Sequence, residues 1–262
     1  MKLLLSLLIL STFFQNTLSA QEWSVLSNIK FNTPSTSYSI DSENNLYIGF
    51  GDGRLSRFSS KNEKLPDFSL PNQSAITLVE AQNNRKIFLF QKDIQKISIL
   101  DRFSTIAQQY FLSEFGIGYA IATCPTPDNG IWITETNPSR LKKIDLLRKN
   151  VLLEVQHSLG DSITFMKAIQ NLLLVSDENG VHVFDQFGSP VISIEAGKIN
   201  YVQFLKNEII ASRDSDFLYI NPSDGSIRKE VPFPGGSAEC FIDLGGKIAV
   251  IKKKQVTFYE SP

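Results

Sequence analysis

Asn44-Asn45-Leu46-Tyr47-Ile48-Gly49-Phe50-Gly51-Asp52-Gly53-Arg54-Leu55-Ser56-Arg57-Phe58 reads as two short strands joined by a tight reversal. An Asn pair opens the apolar run 46–50, and Gly51-Asp52-Gly53 supplies the positive-φ positions that a hairpin needs. After the reversal, Leu55 and Phe58 are set among polar Arg54, Ser56 and Arg57, as in a strand with one face buried.

The same unit recurs along the chain. A turn residue opens an apolar run at Asn45, Asn84, Asn129, Asn171, Asn207 and Gly246, so successive starts lie 39, 45, 42, 36 and 39 residues apart. An alternating stretch follows each run, as in Ile94–Ile99, Leu141–Leu146, Val181–Phe184, Phe217–Ile220 and Gln255–Tyr259. Inner strands are expected before each opening turn, over 38–41, 75–80, 119–124, 163–169, 199–205 and 239–244. Outer strands are expected after each hairpin over 65–70, 105–112, 151–157, 191–195 and 227–232. No stretch beyond residue 20 carries a helical apolar stripe. A repeat of about 40 residues built from four strands implies an all-β chain closing into a single six-bladed β-propeller. A seven-bladed ring and a pair of β-sandwiches are the structural alternatives.

Five units are complete, and the sixth stops at Tyr259 without an outer strand. Trp23–Phe31 is an unassigned strand at the other end of the chain. Pairing it beside the last hairpin closes the ring and removes two exposed sheet edges, so the ring is expected to be sealed by the N-terminal strand.

The segment Asp128-Asn129-Gly130-Ile131-Trp132-Ile133-Thr134-Glu135, like 44–53, resembles the blade signature of NHL-like and regulator-type propellers. That resemblance implies the superfold and carries no particular function with it.

Residues 1–20 differ from the rest. Lys2, the apolar stretch Leu3–Leu10 with Thr12–Phe14, and Leu18-Ser19-Ala20 form the layout of a secretory signal peptide cleaved near Ala20, leaving a propeller domain over 21–262. The apolar stretch is about a dozen residues, short of the roughly 20 that span a bilayer. The chain is therefore expected to be exported to the periplasm or beyond the cell, with no transmembrane segment in its mature form. Without Lys2, the 26 basic residues fall to 25 against 27 acidic ones, a net charge of −2. The longest like-charge run is Lys252-Lys253-Lys254, which argues against nucleic acid and anionic membrane surfaces as partners.

Chemistry is sparse. The two histidines, His157 and His182, do not form a metal centre with others, and no serine sits in a Gly-x-Ser-x-Gly turn. An oxygen-only calcium site from Asp161, Asp214, Asp216 and Glu239 lacks a sequential calcium loop. No catalytic residue, metal or cofactor is expected. Cys124 and Cys240 fall on inner strands of units three and six, opposite in the ring, so two separate buried thiols are expected in place of a disulfide.

The candidate binding residues lie where hairpins and blade-to-blade links gather: Asp52, Arg54, Lys92, Asp93, Phe115, Tyr119, Arg140, Asp161, Asp177, Glu178, Tyr201, Arg213, Asp214, Asp216 and Lys253. Mixed charge with Arg and aromatic residues suits a protein interface. The favoured function is a non-catalytic scaffold binding another protein, as a subunit of a cell-envelope or secretion assembly. The alternatives are recognition of a small ligand or carbohydrate in the axial funnel, with Phe115, Tyr119 and Tyr201 stacking on it, and a propeller hydrolase or lyase.

Overall fold

The computed structural model describes residues 23–83, 85–136, 139–157, 159, 162–205 and 208–260. The signal-peptide reading of residues 1–20 and the candidate Asp161 lie outside them.

Among the described residues, twenty-four strands form six four-stranded antiparallel sheets. Blade one holds β2 (Ser35–Ile40), β3 (Leu46–Phe50), β4 (Arg54–Phe58) and β5 (Lys64–Ser69), and blade two β6 (Leu78–Asn83), β7 (Lys86–Gln91), β8 (Lys96–Asp101) and β9 (Ile106–Phe111). Blade three holds β10 (Ala120–Pro125), β11 (Gly130–Thr136), β12 (Ser139–Asp145) and β13 (Asn150–Gln156). Blade four holds β14 (Phe165–Ile169), β15 (Leu172–Ser176), β16 (Gly180–Asp185) and β17 (Pro190–Glu195). Blade five holds β18 (Tyr201–Leu205), β19 (Glu208–Ser212), β20 (Asp216–Ile220) and β21 (Ile227–Pro232). Blade six combines β22 (Cys240–Asp243), β23 (Lys247–Lys252) and β24 (Gln255–Glu260) with β1 (Ser24–Lys30) from the far end of the chain, in the order β1-β24-β23-β22.

The six-bladed ring expected from the repeat is therefore the observed fold, and the seven-bladed and sandwich alternatives are set aside. The closing strand pairs as expected, with Ser24 opposite Glu260 and Lys30 opposite Gln255. Among the described residues only short 3-10 turns interrupt the β architecture, at Lys92–Ile94 and Leu112–Phe115.

In most blades the second strand is the most apolar and is buried over nearly its whole length. β3, Leu-Tyr-Ile-Gly-Phe, is buried at all five positions, because both faces of a middle strand pack against neighbouring blades. Buried clusters fill the spaces between consecutive blades. Phe217 and Phe241 stack at 3.8 Å between blades five and six, and Trp132, Leu173 and Phe184 meet between blades three and four. Gly49 is tightly enclosed here, since a Cβ would come within 2.4 Å of Ser37 Oγ and 2.9 Å of Ile76 Cγ2.

Outer strands share a second regularity. In blades two to five the pairing of third and fourth strands slips by one residue at the same place, leaving Ala107, Leu152, Val191 and Arg228 as the extra residues. Such a bulge raises the local twist and turns the outer edge away from the sheet plane.

Antiparallel order gives the ring two faces. The hairpin between second and third strands of each blade and the links between blades emerge on one side, here the hairpin face. The turns between first and second and between third and fourth strands emerge on the other, the turn face.

Candidate functional site

The described candidate residues all fall at the hairpin-face end of the blades, as the repeat register requires, but they differ in what they offer. On blade one, Asp52 accepts from Thr33 Oγ1 (2.9 Å) and from the Arg54 N–H (3.1 Å). The Arg54 guanidinium lies over the Phe50 ring at 4.0 Å and within 3.5 Å of Asp67. These groups flank a groove of about 410 Å³ that runs to Phe31 and Thr33. On blade two, Asp93 is exposed and Lys92 Nζ stands 6.0 Å from the ring centroid of Tyr119, which is 48% exposed.

Arg140 pairs with Glu154, and its neighbour Lys142 reaches the buried Glu135 at 2.5 Å. On blade five, Arg213 holds Asp216 through two contacts of 2.5 and 2.8 Å and Glu230 through one of 2.5 Å. This bidentate grip keeps the Asp216 carboxyl below the usual carboxylate range. Asp214 accepts from Asn200 Nδ2 at 2.7 Å. Glu178 and Lys253 are exposed hairpin residues.

Three candidates are placed otherwise than on an open loop surface. Phe115 is buried against Tyr110, with ring centroids 6.1 Å apart, in the core between blades two and three. Tyr201 lies inside β18 with almost no exposure. Asp177 is buried and accepts the N–H groups of Asn179 (2.8 Å) and Gly180 (3.2 Å), and His182 Nε2 lies 3.1 Å from it. Burial acts to raise its carboxyl, but those N–H groups and the neighbouring imidazole prevail and hold it below the ordinary value. A residue that sequence places in a loop can thus face inward when the loop is short and its backbone needs a cap.

Of the four acidic residues weighed as a calcium site, the three described ones are engaged by separate partners: Asp214 by Asn200, Asp216 by Arg213, and Glu239 by the Tyr38 hydroxyl at 2.9 Å. Both cysteines are free and buried on inner strands, and burial pushes both thiols up.

Apart from Tyr201, the axis is filled by side chains that the sequence reading did not single out. Lys167 on β14 reaches Glu80 on β6, two blades away, with Nζ 2.9 Å from Oε2 and both side chains buried. Its ammonium also lies 5.8 Å from the Tyr201 ring centroid. Gln203 bridges to blade six, donating to the Asp243 carbonyl (2.7 Å) and accepting the Asp243 N–H (2.9 Å). Above this layer the inner strands leave a cavity of about 90 Å³ lined by Tyr38, Thr77, Thr123, Thr164 and Tyr201. The buried hydroxyls of Thr123 and Tyr201 meet no protein partner in this structure. The cavity suits a few water molecules, whereas small-molecule sites run to roughly 300 Å³ or more.

A Ser-His-Asp chain that the sequence did not suggest lies on blade four. Ser193 Oγ is 3.0 Å from His182 Nδ1, and His182 Nε2 is 3.1 Å from Asp177. Ser193 is exposed on the outer strand β17, so the chain stands on the open side of a sheet. The strand pairing Val183↔Ile192 and His182↔Ser193 accounts for the contact: these residues are opposite in register, though eleven apart in sequence.

No family model matches the chain, and no curated protein does. Among solved structures, the crystal structure of the WD40 β-propeller domain of Doa1 superposes with a TM-score of 0.66 at 10% identity, over 92% of this chain and 98% of that one. At that identity the likeness concerns architecture alone, and with the six sheets and their closure it establishes the chain as a β-propeller.

Proposed function

We propose that this protein is an exported, non-catalytic scaffold that binds another protein through its hairpin face, as a subunit of an envelope or secretion assembly. A propeller suits such a role, because a rigid ring carries many loops whose sequence can vary without disturbing the sheets. The observation that carries the reading is the filled axis. With Lys167, Glu80 and Tyr201 packed across the centre and about 90 Å³ left above them, recognition falls to the surface. There Asp93, the Lys92–Tyr119 pair, Glu178, Asp214 and Lys253 offer mixed charge with an accessible aromatic ring. Export rests on the layout of residues 1–20.

Crosslinking in the native envelope followed by pull-down is expected to recover one dominant partner. The pair Lys92→Glu with Tyr119→Ala should lower its capture about tenfold, the weight of one interface anchor. Recovering no partner, or equal capture by the variant, sinks the reading. A thermal-shift series with sugars separates it from axial ligand binding, since a funnel ligand would raise the melting temperature by mass action.

A further inference from the structure

The turns between third and fourth strands repeat one construction in the five blades that possess them. A capping side chain accepts the N–H two residues on: Ser59 Oγ from Lys61 (3.3 Å), Asp101 Oδ1 from Phe103 (2.9 Å), Asp145 Oδ1 from Leu147 (2.8 Å), Asp185 Oδ1 from Phe187 (2.8 Å) and Asn221 Oδ1 from Ser223 (3.1 Å). Lys61, Phe103, Leu147, Phe187 and Ser223 are therefore equivalent positions. Rotation about the ring axis carries one blade onto the next, so equivalent positions sit at a common height on the turn face.

Three adjacent blades place a large apolar side chain there, and each is open to solvent: Phe103 at 70%, Leu147 at 76% and Phe187 at 62%. The bulged residues beside the last two turns, Leu152 and Val191, are also exposed and apolar. The capping aspartates face inward to backbone N–H groups, each taking two of them. Of the charged side chains of these turns, Lys61 and Glu63 on blade one are both exposed, the Arg102 guanidinium on blade two lies 4.6 Å from the Phe103 ring centroid, and Arg148 beside Leu147 on blade three is 78% exposed with its Nε 3.8 Å from Asp145 Oδ2. Apolar tips at one height, flanked by cations, complement a flat surface that is negative outside and apolar beneath.

We propose that the turn face of blades two to four docks on an anionic lipid bilayer, with Phe103, Leu147 and Phe187 entering the headgroup boundary and Arg102 and Arg148 meeting lipid phosphates. Residues about 40 apart in sequence make no basic cluster in the chain and become one rim only when the ring forms. The placement is independent of the hairpin-face reading and leaves that face turned toward the aqueous side.

Sedimentation with phosphatidylglycerol-containing vesicles tests this, with the same N-terminus in every sample. The protein is expected to sediment with these vesicles and much less with pure phosphatidylcholine, and to be released as salt screens the cations. The triple variant Phe103→Ser, Leu147→Ser, Phe187→Ser should bind at least about tenfold more weakly while melting at the parent temperature, and Phe111→Ser, an exposed position at the opposite end of β9, should bind as the parent does. Parent protein that ignores both vesicle types, or a triple variant that binds equally, overturns the proposal. Loss of a crosslinked protein from the triple variant, without any vesicle binding by the parent, also overturns it and makes the rim a protein interface.

Discussion

The seam of blade six and the axis of the ring both join stretches of chain far apart in sequence, but by different physics. At the seam a backbone ladder runs from Ser24 opposite Glu260 to Lys30 opposite Gln255, and continues through the Phe31 N–H to Lys254 O (2.8 Å) and the Ser35 N–H to Lys253 O (2.7 Å). Phe31 then wedges against Phe50 at 5.0 Å and Phe58 at 6.4 Å, tying blade six to blade one. At the axis the joining is done by individual buried polar contacts, among them the ion pair of Lys167 with Glu80 and the Gln203–Asp243 bridge. Ladder and wedge gain from area and repetition, so the seam tolerates the loss of any one contact. A buried charge pair gains only while both partners remain.

The sharpest way to break the comparison is to delete residues 23–31. This bares the edge of β24 and one side of Phe50 and Phe58, and the expected result is loss of cooperative unfolding, with aggregation on size-exclusion chromatography. A monomeric truncation that still melts cooperatively would show that the seam is dispensable. Next in size is Lys167→Ala, which takes the Lys167 ammonium away from the buried Glu80 carboxylate and should cost about 3–5 kcal/mol in chemical denaturation. The double change Lys167→Met with Glu80→Leu should cost much less. If the single and double variants lose the same stability, the charge pair is not what distinguishes the axis.

The seam can also be reinforced. Ser24 and Glu260 are both exposed and directly opposite in register, close enough for a crosslink. Ser24→Cys with Glu260→Cys under oxidising conditions should raise stability by about 2–4 kcal/mol, because the bond ties a loop of more than two hundred residues in the unfolded chain. No gain over the reduced form would mean that seam opening does not limit the stability of the ring.

The same contrast explains what was legible in the sequence. Strands, blade number and the closing role of 23–31 follow from period-2 alternation and from turn residues at regular intervals, signals carried by many positions at once. Lys167 and Glu80 are isolated charges within inner-strand segments, and nothing local says that they meet across the ring. Phe115 and Tyr201 were read as accessible rings because they fall near links, yet the 3-10 turn at Leu112–Phe115 and the start of β18 direct them inward. The Ser193–His182–Asp177 chain is not legible along the sequence, because register across β16 and β17 brings it together. The apolar rim was hidden for the same reason, each blade contributing one residue.

Asp216 shows what a local join is worth beside these distant ones. Its partner Arg213 is three residues away across the β19–β20 hairpin, and the pair is partly open to solvent. Screening therefore limits Asp216→Asn to a loss of about 1 kcal/mol at neutral pH. The sign of its pH dependence follows from the carboxyl being held below its ordinary value by Arg213. The stabilisation is present above the unfolded-state value of about 4 and drains away as pH falls from there through the lower folded value. Parent and Asp216→Asn unfolding curves should accordingly differ most near neutrality and converge toward pH 2. A gap that persists undiminished in acid would mean that Asp216 contributes through hairpin geometry and packing, with its charge playing no part.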